Sequence, residues 1–218
     1  MADKEMKTIL IGTTNEFKYR MYQDLLSFLK EREVYLQKLP PKAQTISIPE
    51  TLDSLEANAV QKAVTYSHMT GCFTIADDTG FFIPALNNEP GVAVRRWGGK
   101  LPKDISDEAW EQYFLKRMKQ SSIEEPYCIR RQVVALSDAQ GNCRVIEEQF
   151  VGKIKIPGAG HYDSGGPLSS YFFLNECQRF ESELSQKNKE TLLGGLKVKL
   201  INAILQYKEF QPAGDVES

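Results

Sequence analysis

The chain opens on a run of β-branched and aliphatic residues, Thr8-Ile9-Leu10-Ile11, which closes on Gly12 and turns at Thr13-Thr14-Asn15 into a helical pattern. No other stretch constrains the fold as much. An apolar run this short, bounded by glycine, reads as a buried first strand. Tyr19, Tyr22, Leu25, Leu26 and Leu29 then recur at helical spacing, so a tight turn delivers the strand straight into an amphipathic helix. Backbone N–H groups at such a helix start lack intrahelical partners and favour an anion.

Further along, Val34 to Leu39 reads as a second strand, broken by Pro40-Pro41 before an extended piece at Thr45 to Ile48. Leu55, Ala59, Ala63 and Tyr66 share one face of a helix expected over Leu52 to Met69. Cys72 to Ala76 reads as a strand that Asp77-Asp78-Thr79-Gly80 ends with a turn; the chain resumes in extended form over Phe81 to Ala85, and Asn87 to Gly91 is loop. A helix is expected over Ile105 to Met118, and a hairpin over Cys128 to Leu136 and Cys143 to Lys155. Pro157 to Ser170, rich in Gly, Pro and Ser, reads as a long surface loop with no core. A last helix is expected over Lys189 to Tyr207, and a polar, frayed tail from Gln211. The whole reads as one two-lobed domain over residues 1–210.

Composition narrows the function classes. Hydrophobic residues at 41% against 26% charged suit a buried core rather than disorder, and a net charge of -2 supplies no general basic field for a polynucleotide. Cys72, Cys128, Cys143 and Cys177 are scattered without a C-x-x-C pair, so reduced thiols are expected. The start is too acidic for a signal peptide, and no apolar run approaches the ~18 residues a membrane span needs. A soluble, cytoplasmic protein is expected.

Three clusters carry possible chemistry. Thr13, Thr14, Asn15 and Lys18 stand at the first helix start, where they fit either an anion site or simple helix capping by Thr or Asn. Asp77 and Asp78 end an apolar run, where adjacent carboxylates cost stability unless a cation or hydrogen bonds offset them. Magnesium, a hard cation with oxygen ligands, suits them with Glu50 as a further ligand; a solvated turn is the other reading. Lys62, Arg95 and Arg96 offer cations for a polyphosphate or a merely solvated face. Arg130-Arg131 takes no role, and His68 and His161 read as surface or cap residues. The serine-hydrolase elbow, the Walker loop and the Rossmann glycine fingerprint are all absent from the sequence.

Taken in order, T-x-N-x-x-K from Thr13, the acid of Ile48-Pro49-Glu50, Asn58-Ala59-x-x-Lys62-Ala63, Ala76-Asp77-Asp78-Thr79-Gly80 and Pro90-Gly91 form a pattern. It resembles the inosine triphosphate pyrophosphatase family, which hydrolyses non-canonical purine nucleoside triphosphates to monophosphate and pyrophosphate. The resemblance implies an α/β fold with a mixed, elongated, twisted sheet, helices on both sides, and two lobes around a nucleotide cleft. It implies that Thr13, Asn15 and Lys18 hold phosphates and Lys62 adds a cation. Glu50 and Asp78 would hold Mg2+, with Asp78 as the base that activates water and Asp77 as second choice. Thr14, Thr79, Gly80, Arg95, Arg96 and Lys189 complete the expected nucleotide contacts, and a homodimer is usual. The second half departs from the pattern. Met21 replaces a Glu, Ser170 stands where a base-reading Asp is expected, and Leu193-Gly194-Gly195 replaces Ser-His-Arg, while Glu183 and Lys189 are retained. The expected function is therefore Mg-dependent triphosphate hydrolysis with altered base preference; the alternative is a nucleotide-binding or interaction protein with little turnover.

Overall fold

A computed structural model describes residues 7–46, 48–49, 54–102, 104–162 and 166–211. Glu50, Ser47, the expected helix start at Leu52 and the tail beyond Gln211 lie outside the described residues. The elements run β1 (Lys7–Ile11), α1 (Glu16–Leu25), β2 (Val34–Lys38), α2 (Pro41–Gln44), α3 (Leu55–Thr70), β3 (Phe73–Ile83), β4 (Glu89–Gly91) and α4 (Asp107–Met118). They continue as β5 (Tyr127–Ser137), β6 (Cys143–Ile154), β7 (Phe172–Leu174), β8 (Arg179–Phe180), α5 (Gln186–Leu192) and α6 (Gly194–Leu205). Strand order is β2-β1-β3-β5-β6-β7-β8, with β4 paired to β3. β1 runs parallel to β2 and β3, whereas β3–β4 and β6–β7–β8 are antiparallel, so the sheet is mixed as expected.

The chain forms two compact units. Met1–Asp78, Val133–Glu147 and Leu193–Ser218 make the first; Thr79–Gln132 and Glu148–Leu192 make the second. In the first unit, alternation along β1 sends Ile9 and Ile11 into one core with Tyr22 and Leu26 of the α1 region and Leu196 and Leu200 of α6. Leu10 points the other way, onto Tyr66 of α3 and Leu39. Helices therefore cover both faces of β1. Gly12 permits the tight strand exit, because a Cβ there would come 3.0 Å from the Tyr66 ring and 3.2 Å from Ala76.

The second unit is built around aromatic rings. Trp97 is fully buried, with Trp110 at 5.4 Å and Tyr113 at 5.2 Å between ring centroids. Its indole N–H donates to Glu89 at 2.7 Å, and the same carboxylate accepts from Arg117 at 2.7 Å and from Lys100. Burial alone would raise the Glu89 pKa; the bonds from Lys100, Trp97 and Arg117 outweigh it and hold the group at about 2.

Several expectations are corrected. Asp77 to Gly80 is not a turn: β3 runs unbroken from Phe73 to Ile83. The buried acids are matched by cations, which overrides their turn preference, and Gly80 serves a different purpose. A Cβ at Gly80 would lie 2.9 Å from the Gly91 carbonyl oxygen, so the glycine admits β4, where Phe81 pairs with Gly91. The loop before it shortens accordingly, with Asn87 and Asn88 at φ 56° and 63°, a region asparagine tolerates. Pro41, expected only to break the strand, starts the short helix α2, its fixed φ suiting a first helical position, and Thr45, where an extended piece was expected to begin, is helical in backbone as its cap. The segment ending at Ser170 does contribute core: Leu168 is 3% and Ser170 2% exposed. The single last helix is two, α5 and α6, broken at Leu193 before Gly194-Gly195. All four cysteines are unbridged, and no described helix is long and apolar enough to cross a membrane.

Candidate active site

Asp77 and Asp78 are 3% and 7% exposed at the end of the first unit's part of β3. Successive strand residues point to opposite faces, so the two carboxylates do not share one environment. Each meets its own lysine. On one face Lys18, three residues past the Asn15 cap of α1, places Nζ 2.8 Å from Asp77 Oδ2. On the other, Lys62 of α3 lies 3.1 Å from Asp78 Oδ1, and Asn58 Nδ2 donates to Asp78 Oδ2 at 3.0 Å.

The sequence patterns explain why these groups meet. Asn58 and Lys62 are four residues apart on α3 and so share a helix face, and both oxygens of one carboxylate are engaged from a single element. Sequence reasoning quoted Asn58 within a motif but assigned it no role; its spacing from Lys62 is the signal that identifies it. Lys62 is 12% exposed, so its charge is largely removed from water and Asp78 helps to compensate it.

At the helix start, the capping reading is seen directly. Asn15 Oδ1 accepts from the backbone N–H of Phe17 at 2.9 Å and of Lys18 at 3.2 Å, and Thr13 Oγ1 accepts from Asn15 N–H at 3.1 Å. Thr14 and Asn15 remain exposed, and Thr13 is half-buried. Capping preorganises the turn, and an anion approaching it meets Lys18 on the first helical turn.

Magnesium needs hard oxygen donors, which buried, cation-compensated carboxylates supply. Among the described residues, however, no group of three or more His, Cys, Asp or Glu is assembled to hold a metal ion. Glu50, the expected second ligand, lies outside them. A carboxylate is the donor type the ion takes, and at Asp78 both oxygens are engaged, by Lys62 and Asn58.

In the second unit, Thr79 is half-buried and Gly80 buried on β3. Arg95 is not a free clamp, because its guanidinium donates to the Asp107 carboxylate and to the Ile105 carbonyl. Arg96 beside it is exposed, and Lys189 is half-buried on α5. Ser170 cannot replace a base-reading carboxylate in this state: its Oγ donates to the Pro167 carbonyl at 3.0 Å within the core. Gly194 is under no steric demand to be glycine, since an added Cβ would meet nothing within 4 Å.

Residues 9–193 match the model of the Ham1 family. The chain belongs to that family. Membership spans both the motif-rich first half and most of the divergent second half, and it bears out the resemblance read from the motifs. Relatives include a dITP/XTP pyrophosphatase of Streptococcus pyogenes serotype M18, 30% identical over 185 residues, covering 85% of this chain and 54% of that protein. Against this relative the chain spans about half its length. A dITP/XTP pyrophosphatase of Bacillus licheniformis is 29% identical over 186 residues, covering 84% of this chain and 91% of that one. The Ham1 fold is matched by a HAM1 protein from Coxiella burnetii, with TM-score 0.74, 24% identity, and coverage of 92% and 99% of the two chains.

Proposed function

We propose that the protein hydrolyses nucleoside triphosphates to the monophosphate and pyrophosphate in a divalent-metal-dependent reaction, with a base preference different from that of its dITP/XTP pyrophosphatase relatives. The observation that carries this reading is the buried Asp78 held by Asn58 and Lys62, next in sequence to the buried Asp77 held by Lys18 of the capped helix start. A binding module has no need of buried acids next to a phosphate site, whereas hydrolysis needs a base and charge compensation. The names of the dITP/XTP pyrophosphatase relatives point the same way.

In this reading Thr13, Thr14, Asn15, Lys18 and Lys62 bind and orient the phosphates, and Thr79, Gly80, Arg96 and Lys189 are further nucleotide contacts. Arg95 is left out because it is engaged by Asp107. Asp78, with Glu50, would hold magnesium, and Asp77 keeps Lys18 in place. A bound magnesium ion would neutralise phosphate charge and make its water more acidic. Asp78 takes the proton as water adds to phosphorus and the bond releasing pyrophosphate breaks; Asp77 is the second choice for that base.

The altered preference rests on Ser170 and on Leu193-Gly194-Gly195. A charged hydrogen bond to a base edge contributes roughly 1.5–3 kcal/mol of discrimination, which these residues do not supply. A cytoplasmic homodimer acting on free nucleotides rather than polynucleotide belongs to the same reading, supported by the resemblance and by the net charge of -2. Product analysis on a panel of inosine, xanthosine, standard and pyrimidine triphosphates, with magnesium or chelator, tests it. Equal amounts of monophosphate and pyrophosphate, formed only with metal, are expected. Silence across the panel removes the hydrolytic reading.

A further inference from the structure

The outer side of β6 changes character along the strand. In the second unit β7 pairs with it from Gly152 to Ile154, and the Val151 carbonyl accepts from Asn175 N–H at 3.3 Å. In the first unit, up to Glu147, no described strand lies on that side. The Glu147 carbonyl accepts there from Lys199 Nζ of α6 at 2.7 Å. Backbone groups alternate in direction along a strand, so Val145, two residues before Glu147, turns its N–H and C=O to the same open side. Its side chain is 42% exposed. Between this edge and α6 lies a cleft of about 270 Å3, lined by Arg144, Val145 and Ile146 of the strand and by Lys199, Asn202 and Gln206 of the helix. Two cations and two carboxamides make its polar lining, which includes no acid. Arg144 and Ile146 share a strand face; Ile146 packs against the core that holds Leu200 and Ala203, and the Arg144 guanidinium is 5.6 Å from the Tyr207 ring. The cleft is smaller than the roughly 300–1,000 Å3 of small-molecule sites and adjoins outward-facing strand backbone. An edge that offers main-chain bonds beside a pocket for alternate side chains is what strand addition by a peptide requires.

We infer that this stretch of β6 is a docking edge for an extended, acidic segment of a partner protein. The segment adds beside Val145 as a further strand, sends alternate side chains into the cleft, and sets a carboxylate against Arg144 and Lys199. Protection of a bare edge against aggregation is the competing role for these cations. That role needs charge but no cleft, and it attracts no peptide. The docking edge shares no residue with the proposed active site and goes beyond the hydrolytic reading.

Fluorescence anisotropy on the full chain tests it with a short labelled peptide of alternating Glu and Val. The comparison probes are a Lys–Val peptide, the Glu–Val peptide N-methylated throughout, and oligothymidylate of equal charge. Two variants are measured beside wild type, with circular dichroism to verify their folds: Arg144→Gln combined with Lys199→Gln, and Val145→Pro. The proline removes the outward N–H at a place where an edge strand tolerates it. Saturable binding of the Glu–Val peptide is expected, at least tenfold weaker for the Lys–Val and N-methylated peptides and at least tenfold weaker in each folded variant. No binding, or equal binding of the N-methylated peptide, overturns the inference, as does unchanged affinity in either folded variant. Tighter binding of oligothymidylate overturns the peptide as occupant. Light scattering on the same samples covers a second copy of the chain: a wild-type dimer that Val145→Pro splits, with no peptide bound, gives the edge to self-pairing and likewise overturns the inference.

Discussion

Both units bury charge, but they do so in different ways. In the first, the acids of β3 are met from two helices: Asp77 by Lys18 at the capped start of α1, and Asp78 by Lys62 and Asn58 of α3. In the second, the carboxylates meet mainly arginines and an indole: Glu89 takes Trp97, Arg117 and Lys100, Asp107 takes Arg95, and Glu181 takes Arg130 at 3.1 Å while the guanidinium lies over Phe150. The first network is made of proposed site residues; the second is not. A list of charged residues does not distinguish them, whereas the partner that each one meets does.

Breaking the first kind should damage catalysis most. Lys18→Met is expected to lower kcat/KM by roughly 10- to 100-fold through loss of a charge-assisted contact to phosphate, while Arg95→Met leaves kcat/KM unchanged. Steady-state kinetics on both variants checks this, and equal losses would erase the contrast between the units. Asn58→Ala removes the amide bond to Asp78 and should cost about 1.5–3 kcal/mol in denaturant unfolding, with a fall in kcat.

The second network should answer to pH and temperature instead. Because the Glu89 pKa is depressed from its ordinary 4.5 to about 2, its contribution to stability is complete above about 4.5 and is lost as pH falls towards 2. Glu89→Gln should therefore lower Tm at neutral pH and remove part of the wild-type loss of stability across that acid window, with kcat/KM unaltered. Thermal scans between pH 2 and 7 decide it. Smallest of all, Ser170→Ala removes one bond to the Pro167 carbonyl and should cost about 1 kcal/mol without reordering base preference. A reordered nucleotide panel would show that Ser170 does read the base.

Much of this was legible where periodicity is strong. The strand, turn and helix from β1 into α1, the long helix α3 and the β5–β6 pair follow from repeats of apolar residues. Asp77 to Gly80 was not, because two aspartates and a glycine favour a turn locally, while the lysines that compensate the acids come from helices distant in sequence. The break between α5 and α6 was hidden by Leu192, Leu196 and Leu200, which keep helical spacing although Leu192 belongs to the second unit and the others to the first unit's core. Arg95 and Arg96 look alike in sequence; Asp107, twelve residues on, separates them.

The central claim is that Asp78 carries the chemistry. Asp78→Asn keeps the size of the side chain and lets circular dichroism verify the fold, so pyrophosphate release can be compared with wild type at saturating magnesium. A folded variant with release reduced by roughly 10²–10⁴-fold, the range a positioned general base supplies, is the predicted result. A folded variant that releases pyrophosphate at the wild-type rate would contradict the account.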